Sequence, residues 1–249
     1  MRVIALIFLI LLSAVATAQV KIHAHNDYEK PEPLYNALRN KVFSIEADVF
    51  LINEKLFVAH AMNEIDSQRT LESLYINPII KLFNENNGKI SKEDDYVFSL
   101  VIDIKNRGTE TLKKLSYEMQ SLAKYFDRNT NPKAVQIIIS GDRGPIGSWR
   151  HYPSFIYFDG RPYENYDSAA LAKVAMVSDS YAKYATDFPP ATDRIKSIAN
   201  KVHLWNKPIR LWAAPDYEQA WKLLRDAGVD IINTDKVFEC AKYLSQFER

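Results

Sequence analysis

The chain has 249 residues, is 47% hydrophobic and 25% charged, and carries a formal net charge of +1. These values are ordinary for a globular protein and exclude a disordered or low-complexity chain. A charge so close to zero gives no general attraction to nucleic acid or to an acidic partner. Cys240 is the single cysteine, so neither an internal disulfide nor a thiolate metal site is available.

At the N-terminus, Arg2, an apolar run over 3–12 and the small-x-small triplet Ala16-Thr17-Ala18 have the layout of a signal peptide. The apolar run is too short for a membrane span, and no cysteine follows it to take a lipid. The expectation is a leader over 1–18 and one domain over 19–249, periplasmic or secreted after cleavage near Ala18.

From there, strands alternate with helices. The pattern predicts a strand over 20–25, a short helix over 33–40 entered through Pro31 and Pro33, and a strand over 43–51. A tight turn at 53–55 returns the chain over 56–60 as a hairpin extension. Residues 70–84 have helical periodicity, kinked or split at Pro78. A strand over 96–104 precedes a helix over 109–126 with Leu112, Leu115, Met119, Leu122 and Phe126 on one stripe. Further strands are expected over 135–140, 155–159, 174–178, 209–214 and 230–233. Helices are expected over 190–206, over 217–227 closed by Gly228, and over 236–247. Eight strands joined mostly by helices imply a parallel sheet, and the length suits a single α/β (β/α)8 barrel of the TIM type, regular or irregular. The rival is an open doubly wound sheet, but no Gly-x-Gly-x-x-Gly follows any strand.

The chemistry concentrates at strand ends, where such a barrel places its active site. Glu46 and Asp48 stand at i and i+2 in an apolar strand and so share a face. Two buried carboxylates on one face need a positive partner, and a hard cation such as Ca²⁺ or Mg²⁺ is the simplest. Asp103 and Lys105 repeat the spacing, which offers a third acid and a cation for an anionic substrate, or else a local ion pair. His25 and His60 each follow an apolar segment, and imidazoles beside a metal suit general acid–base work. His23 alternates with His25, and parity does not say which of them reacts. Ser140, Asp159, Ser178, Asn233 and Asp235 also fall at strand ends. Trp212, on the seventh strand, either stacks on a substrate alcohol or packs in the barrel.

His25-Asn26, Glu46-x-Asp48 and His60 together resemble the PLC-like phosphodiesterase superfamily. That group includes glycerophosphodiester phosphodiesterases, phosphatidylinositol-specific phospholipases C and the sphingomyelinase D type. The stretch from Gly228 to Asp235 is similar to the closing strand of the glycerophosphodiesterase branch, and Asp103-Ile104-Lys105 is similar to an Asp-x-Lys motif of the sphingomyelinase D type. The Arg-Gly that follows the first histidine of glycerophosphodiesterases is missing here. The resemblance implies a TIM-like barrel and a divalent cation, Ca²⁺ or Mg²⁺. It implies His25 and His60 as the catalytic pair and Glu46, Asp48, Asp103 and Asn26 as metal ligands, with Lys105 on the phosphate. The expected partner is a small-molecule or phospholipid-derived phosphodiester. A transient contact with a membrane surface is allowed, and nothing indicates nucleic acid or a protein partner. Two rivals stay open: another metal-dependent hydrolase, of phosphomonoesters or esters, and a non-catalytic module that binds a metal or a sugar phosphate.

Overall fold

The structure, a computed structural model, describes residues 19–92, 96–185 and 191–247. Its strands are β1 (Lys21–Ala24), β2 (Ser44–Ile52), β3 (Lys55–Val58), β4 (Ser99–Ile104), β5 (Gln136–Gly141), β6 (Ile156–Gly160), β7 (Val174–Ser180), β8 (Ile209–Trp212) and β9 (Ile231–Thr234). Eight of these run parallel, and β1 pairs with both β2 and β9, which closes the barrel. The hairpin strand β3 runs antiparallel to β2, as the turn at Asn53 and Glu54 requires; both residues adopt positive φ.

Helices lie between most of the strands: α1 (Tyr35–Arg39), α2 (Asn77–Glu85), α3 (Gly108–Gln120), α4 (Ala123–Phe126), α5 (Ser168–Lys173), α6 (Ala191–His203), α7 (Glu218–Asp226) and α8 (Val237–Leu244). The helix expected over 70–84 is split, as Pro78 demands. A π-helical turn spans Glu72–Ile76, and Pro78 falls in the first turn of α2, where its missing N–H is not needed. The helix expected over 109–126 is also divided, into α3 and α4. The six-residue α5 was not expected, since one apolar turn carries little periodicity; Asp167 caps it by accepting from the Ala170 N–H.

Hydrophobic residues fill the space between the barrel and its helices. Inside the barrel, Val101, Ile138, Met176 and Ile231 form a separate small apolar cluster. Each stands two residues before a polar one, namely Asp103, Ser140, Ser178 and Asn233. Side chains two apart share a face, so the interior is apolar at its floor and polar towards the strands' C-terminal ends.

Candidate active site

β2 and β4 pair so that Asp48 lies beside Asp103, with Glu46 one inward position deeper. Glu46, Asp48 and Asp103 each offer a carboxylate oxygen, and these oxygens lie within 4.8 Å of one another. Glu46 Oε2 and Asp48 Oδ1 are buried with no hydrogen-bond partner among the described residues. Lys105 Nζ is the nearest counter-charge, 2.9 Å from Asp48 Oδ2 and 3.0 Å from Asp103 Oδ1. One ammonium against three acids leaves a negative, all-oxygen donor set with two orphaned atoms, which fits a hard divalent cation. Burial and the charge of Glu46 push the Asp48 carboxyl up to about 6 despite Lys105. Burial also raises Asp103. Burial alone would raise Glu46 too, but His23, Arg210 and His25 hold it below the usual carboxylate range.

The two expected histidines stand at opposite ends of the acid pair. His25 Nε2 is 3.5 Å from Glu46 Oε2, while its Nδ1 lies 3.0 Å from Asp235 Oδ1. Asp235 thereby fixes the tautomer and turns Nε2 towards the acids. Burial opposes the charged form of His25, yet the bond to Asp235 and the charge of Glu46 outweigh it and raise the pKa. His60 is exposed, with Nδ1 3.5 Å from Asp48 Oδ2 and 3.4 Å from the Tyr28 hydroxyl. That hydroxyl also lies 3.0 Å from Asp48 Oδ2 and from Asn26 Oδ1, so it links Asn26 to the triad. Tyr28 is held in turn by Arg69, which donates to its carbonyl. The loop carrying both residues is pinned by buried Asp27, which accepts from the Leu34 N–H at 2.6 Å and from the Tyr75 hydroxyl at 3.0 Å. Tyr75 belongs to the π-helical turn, so that irregularity supports the site loop.

His23 is a different group from His25, although parity puts both on one face. It is fully buried, and both ring nitrogens are engaged. Its Nδ1–H donates to Ser44 Oγ at 2.8 Å, and its Nε2 accepts from Arg210 Nη1 at 2.5 Å. Burial, aided by the charge of Arg210, pushes it down to about 4, so it is neutral at pH 7. Arg210 spans the interior: Nε donates to Ser178 Oγ at 3.0 Å, Nη1 also to Asn233 Oδ1 at 3.1 Å, and Nη2 to Asp159 Oδ2 at 3.3 Å. Asp159 also accepts from Ser140 at 3.0 Å and Ser178 at 2.6 Å, and pairs with Arg161 at 3.0 Å.

The structure therefore brings together His25, His60, Glu46, Asp48, Asp103 and Lys105, with Asn26 attached through Tyr28. Trp212 ends β8, is 39% exposed, and has no hydrogen bond into this group among the described residues. Sequence reasoning passed over Tyr28, Arg161 and Arg210. Four inward polar residues without a visible cation, Ser140, Asp159, Ser178 and Asn233, were the signal that could have found Arg210.

The same fold occurs in solved glycerophosphodiester phosphodiesterases. One from Parabacteroides distasonis superposes over 94% of this chain and 100% of its own, with a TM-score of 0.59 and 15% identity. Another, from Agrobacterium tumefaciens, covers 90% of this chain and 99% of its own, with a TM-score of 0.54 and 12% identity. The barrel thus has the fold of these enzymes. The AIM6-like phosphodiesterase domain matches residues 13–144, more than half of the sequence, and the chain belongs to that family. The glycerophosphoryl diester phosphodiesterase family matches residues 208–237.

Curated relatives include the altered inheritance of mitochondria protein 6 homolog of Arthroderma benhamiae, 26% identical over 88% of this chain and 82% of that protein. Altered inheritance of mitochondria protein 6 of Lachancea thermotolerans is 24% identical over 88% of this chain and 64% of that protein. These names overturn the periplasmic or secreted address expected from the first eighteen residues: the relatives are fungal proteins named for mitochondria. A short apolar run behind one arginine does not specify the membrane system it addresses. Residues 1–18, where the leader was expected, lie outside the described residues. No described helix is long and apolar enough to cross a membrane.

Proposed function

We propose that this barrel is a metal-dependent phosphodiesterase that acts on a glycerophosphodiester or a phospholipid-type diester. The observation that carries the reading is the placement of His25 and His60 at opposite ends of a buried acid group with two orphaned oxygens. Glu46, Asp48 and Asp103 would hold the cation, and Asn26 would supply a further oxygen. When bound, that cation neutralises a non-bridging phosphate oxygen as a Lewis acid. Lys105 contacts the phosphate from the β4 side, and Trp212 offers a face to the alcohol. One imidazole takes the proton from the attacking oxygen, whether a neighbouring hydroxyl or water. The other delivers a proton to the leaving alkoxide. Asp235 keeps His25 in the tautomer that aims Nε2 at the site. His23, neutral and with both nitrogens occupied by Ser44 and Arg210, holds Arg210 in place rather than carrying a proton.

The test is turnover of bis(p-nitrophenyl) phosphate against p-nitrophenyl phosphate with added Mg²⁺, Mn²⁺ or Ca²⁺. Diester turnover should dominate, and His25→Ala or His60→Ala should each cost about 10²–10⁴ in rate. Dominant monoester turnover would move the assignment to another hydrolase class. Losses below about tenfold at both histidines would remove them from the catalytic roles.

A further inference from the structure

Round the barrel wall from the acids, the mouth beside β6 carries a surplus of positive charge. Three guanidiniums, of Arg143, Arg161 and Arg210, face two carboxylates, Asp159 and Glu164. Arg143 is consumed by Glu164, which it grips with both terminal nitrogens at 3.1 and 2.7 Å. Arg210 is buried, with its donors spent on Ser178, His23, Asn233 and Asp159. The next acid along, Asp142, is turned to the start of α3, where it accepts from the Gly108 N–H at 2.9 Å.

Arg161 differs. It follows the last residue of β6, and every side-chain bond it makes comes from one nitrogen. Nη1 reaches Asp159 Oδ2 at 3.0 Å, the Asp159 carbonyl at 3.2 Å and the Gly160 carbonyl at 2.9 Å. Its Nε and Nη2 make no hydrogen bond among the described residues, and neither is a buried orphan. The side chain is only 14% exposed, so the open edge is a narrow one. A guanidinium anchored at one corner, with two donors left free, is preorganised for an anion that offers two acceptor oxygens.

The position of Arg161 sets what it would meet. Asp103 on β4 is the register partner of Ser140 on β5, and Ser140 Oγ donates to the Asp159 carboxylate that Arg161 grips. β4 and β6 are two strand spacings apart, on the order of 10 Å. Arg161 is therefore anchored on Asp159, to one side of the acid group, within reach of a group carried on the same small substrate.

We infer that Arg161 is a specificity-determining contact for a second anionic group, a carboxylate or a phosphate, on the alcohol of the diester. The inference rests on the phosphodiesterase reading above and names its substrate class: diesters with one anionic substituent beyond the scissile phosphate.

Two matched pairs test it. Glycerophosphoserine differs from glycerophosphoethanolamine by one carboxylate, and glycerophosphoinositol 4-phosphate from glycerophosphoinositol by one phosphate of longer reach. In each pair kcat/KM should favour the member with the second anionic group. Arg161→Met should lower kcat/KM for that member by about ten- to a hundredfold more than for the counterpart that lacks the group, the scale of a charge-assisted hydrogen bond. Arg161→Lys, which keeps the charge and loses the fork, should retain part of the preference, and it carries the test if the Met variant does not fold. Equal losses on both members of both pairs would place Arg161 on the common phosphate or in a supporting role, and would overturn the inference while leaving a diesterase. No turnover of any of the four by the unaltered protein with Mg²⁺, Mn²⁺ or Ca²⁺ would overturn the diesterase reading itself, and the inference with it.

Discussion

Replacing Arg210 by Met tests how the interior tolerates its charges. Met matches the length of the arginine stem but supplies no donor. The change removes bonds to Ser178, Asn233 and Asp159 and the donor to His23 Nε2, all of them buried groups. Asp159 keeps Arg161 and two serine hydroxyls, so its charge is not fully abandoned. Breaking one side of a buried charge network costs about 3–5 kcal/mol, and the remaining partners place this case near the lower end. For a domain of this size that corresponds to a fall in Tm of about 6–12 °C. Thermal and urea unfolding of Arg210→Met would measure it, and a fall below about 2 °C would refute the reasoning. A double-mutant cycle sharpens the test. In an Asp159→Asn background the same substitution should cost at least about 1 kcal/mol less, because the pair is already broken. Strict additivity would show that Arg210 and Asp159 do not act together.

Further expectations concern the acid group and its loop. Asp48 sits at about 6 in the fold, above its unfolded value, so the fold holds its proton more tightly than the unfolded chain. Its contribution to stability is therefore present below about pH 4 and is lost as pH rises to about 6. A divalent cation that takes the proton's place should raise Tm more at about pH 7.5 than at about pH 5, with apparent affinity falling about tenfold per pH unit below 6. A Tm gain independent of pH over that range would contradict the assignment of Asp48 as a ligand. Gly141 has φ +67°, and a Cβ there would press on the Ile104 carbonyl and on Asp103 Oδ1. Gly141→Ala should thus weaken cation-induced stabilisation more than it lowers the Tm of the cation-free protein, measured by titrating Mn²⁺ during thermal melts; an unchanged Mn²⁺ response would remove the link to Asp103. Tyr75→Phe withdraws the hydroxyl that Asp27 accepts from and should cost about 1–2 kcal/mol in urea unfolding. If its cost is nil, the π-helical turn does not brace the site loop.

The barrel was legible because buried parallel strands read as apolar runs with polar punctuation at their ends. The spacings Glu46-x-Asp48 and Asp103-x-Lys105 survive intact in the structure, since strand alternation is a local property that tertiary contacts do not change. Depth is not local. His23 and His25 have the same parity, yet one is sealed against Arg210 and the other sits at the rim beside Asp235. Only the pairing of β1 with both neighbours decides which is which. Arg210 stayed invisible for the same reason: in an apolar strand an arginine reads as a solvent-facing residue until acids from other strands converge on it. The roles of Tyr28 and Tyr75 depend on loops whose paths follow from Leu34 at φ +67° and from the π-helical turn, neither of which has a periodic signature.

Phosphorus NMR addresses the reaction most directly. The full chain would be incubated with glycerophosphoserine, glycerophosphocholine and phosphatidylinositol, each with Ca²⁺ or Mg²⁺ and with chelator. A phosphodiesterase should show metal-dependent loss of a diester resonance, with a monoester or cyclic phosphate appearing in its place and no change in the His25→Ala variant. An unaltered diester signal under every condition, with the cation still raising Tm, would contradict it and leave a metal-binding barrel with another hydrolytic activity or none.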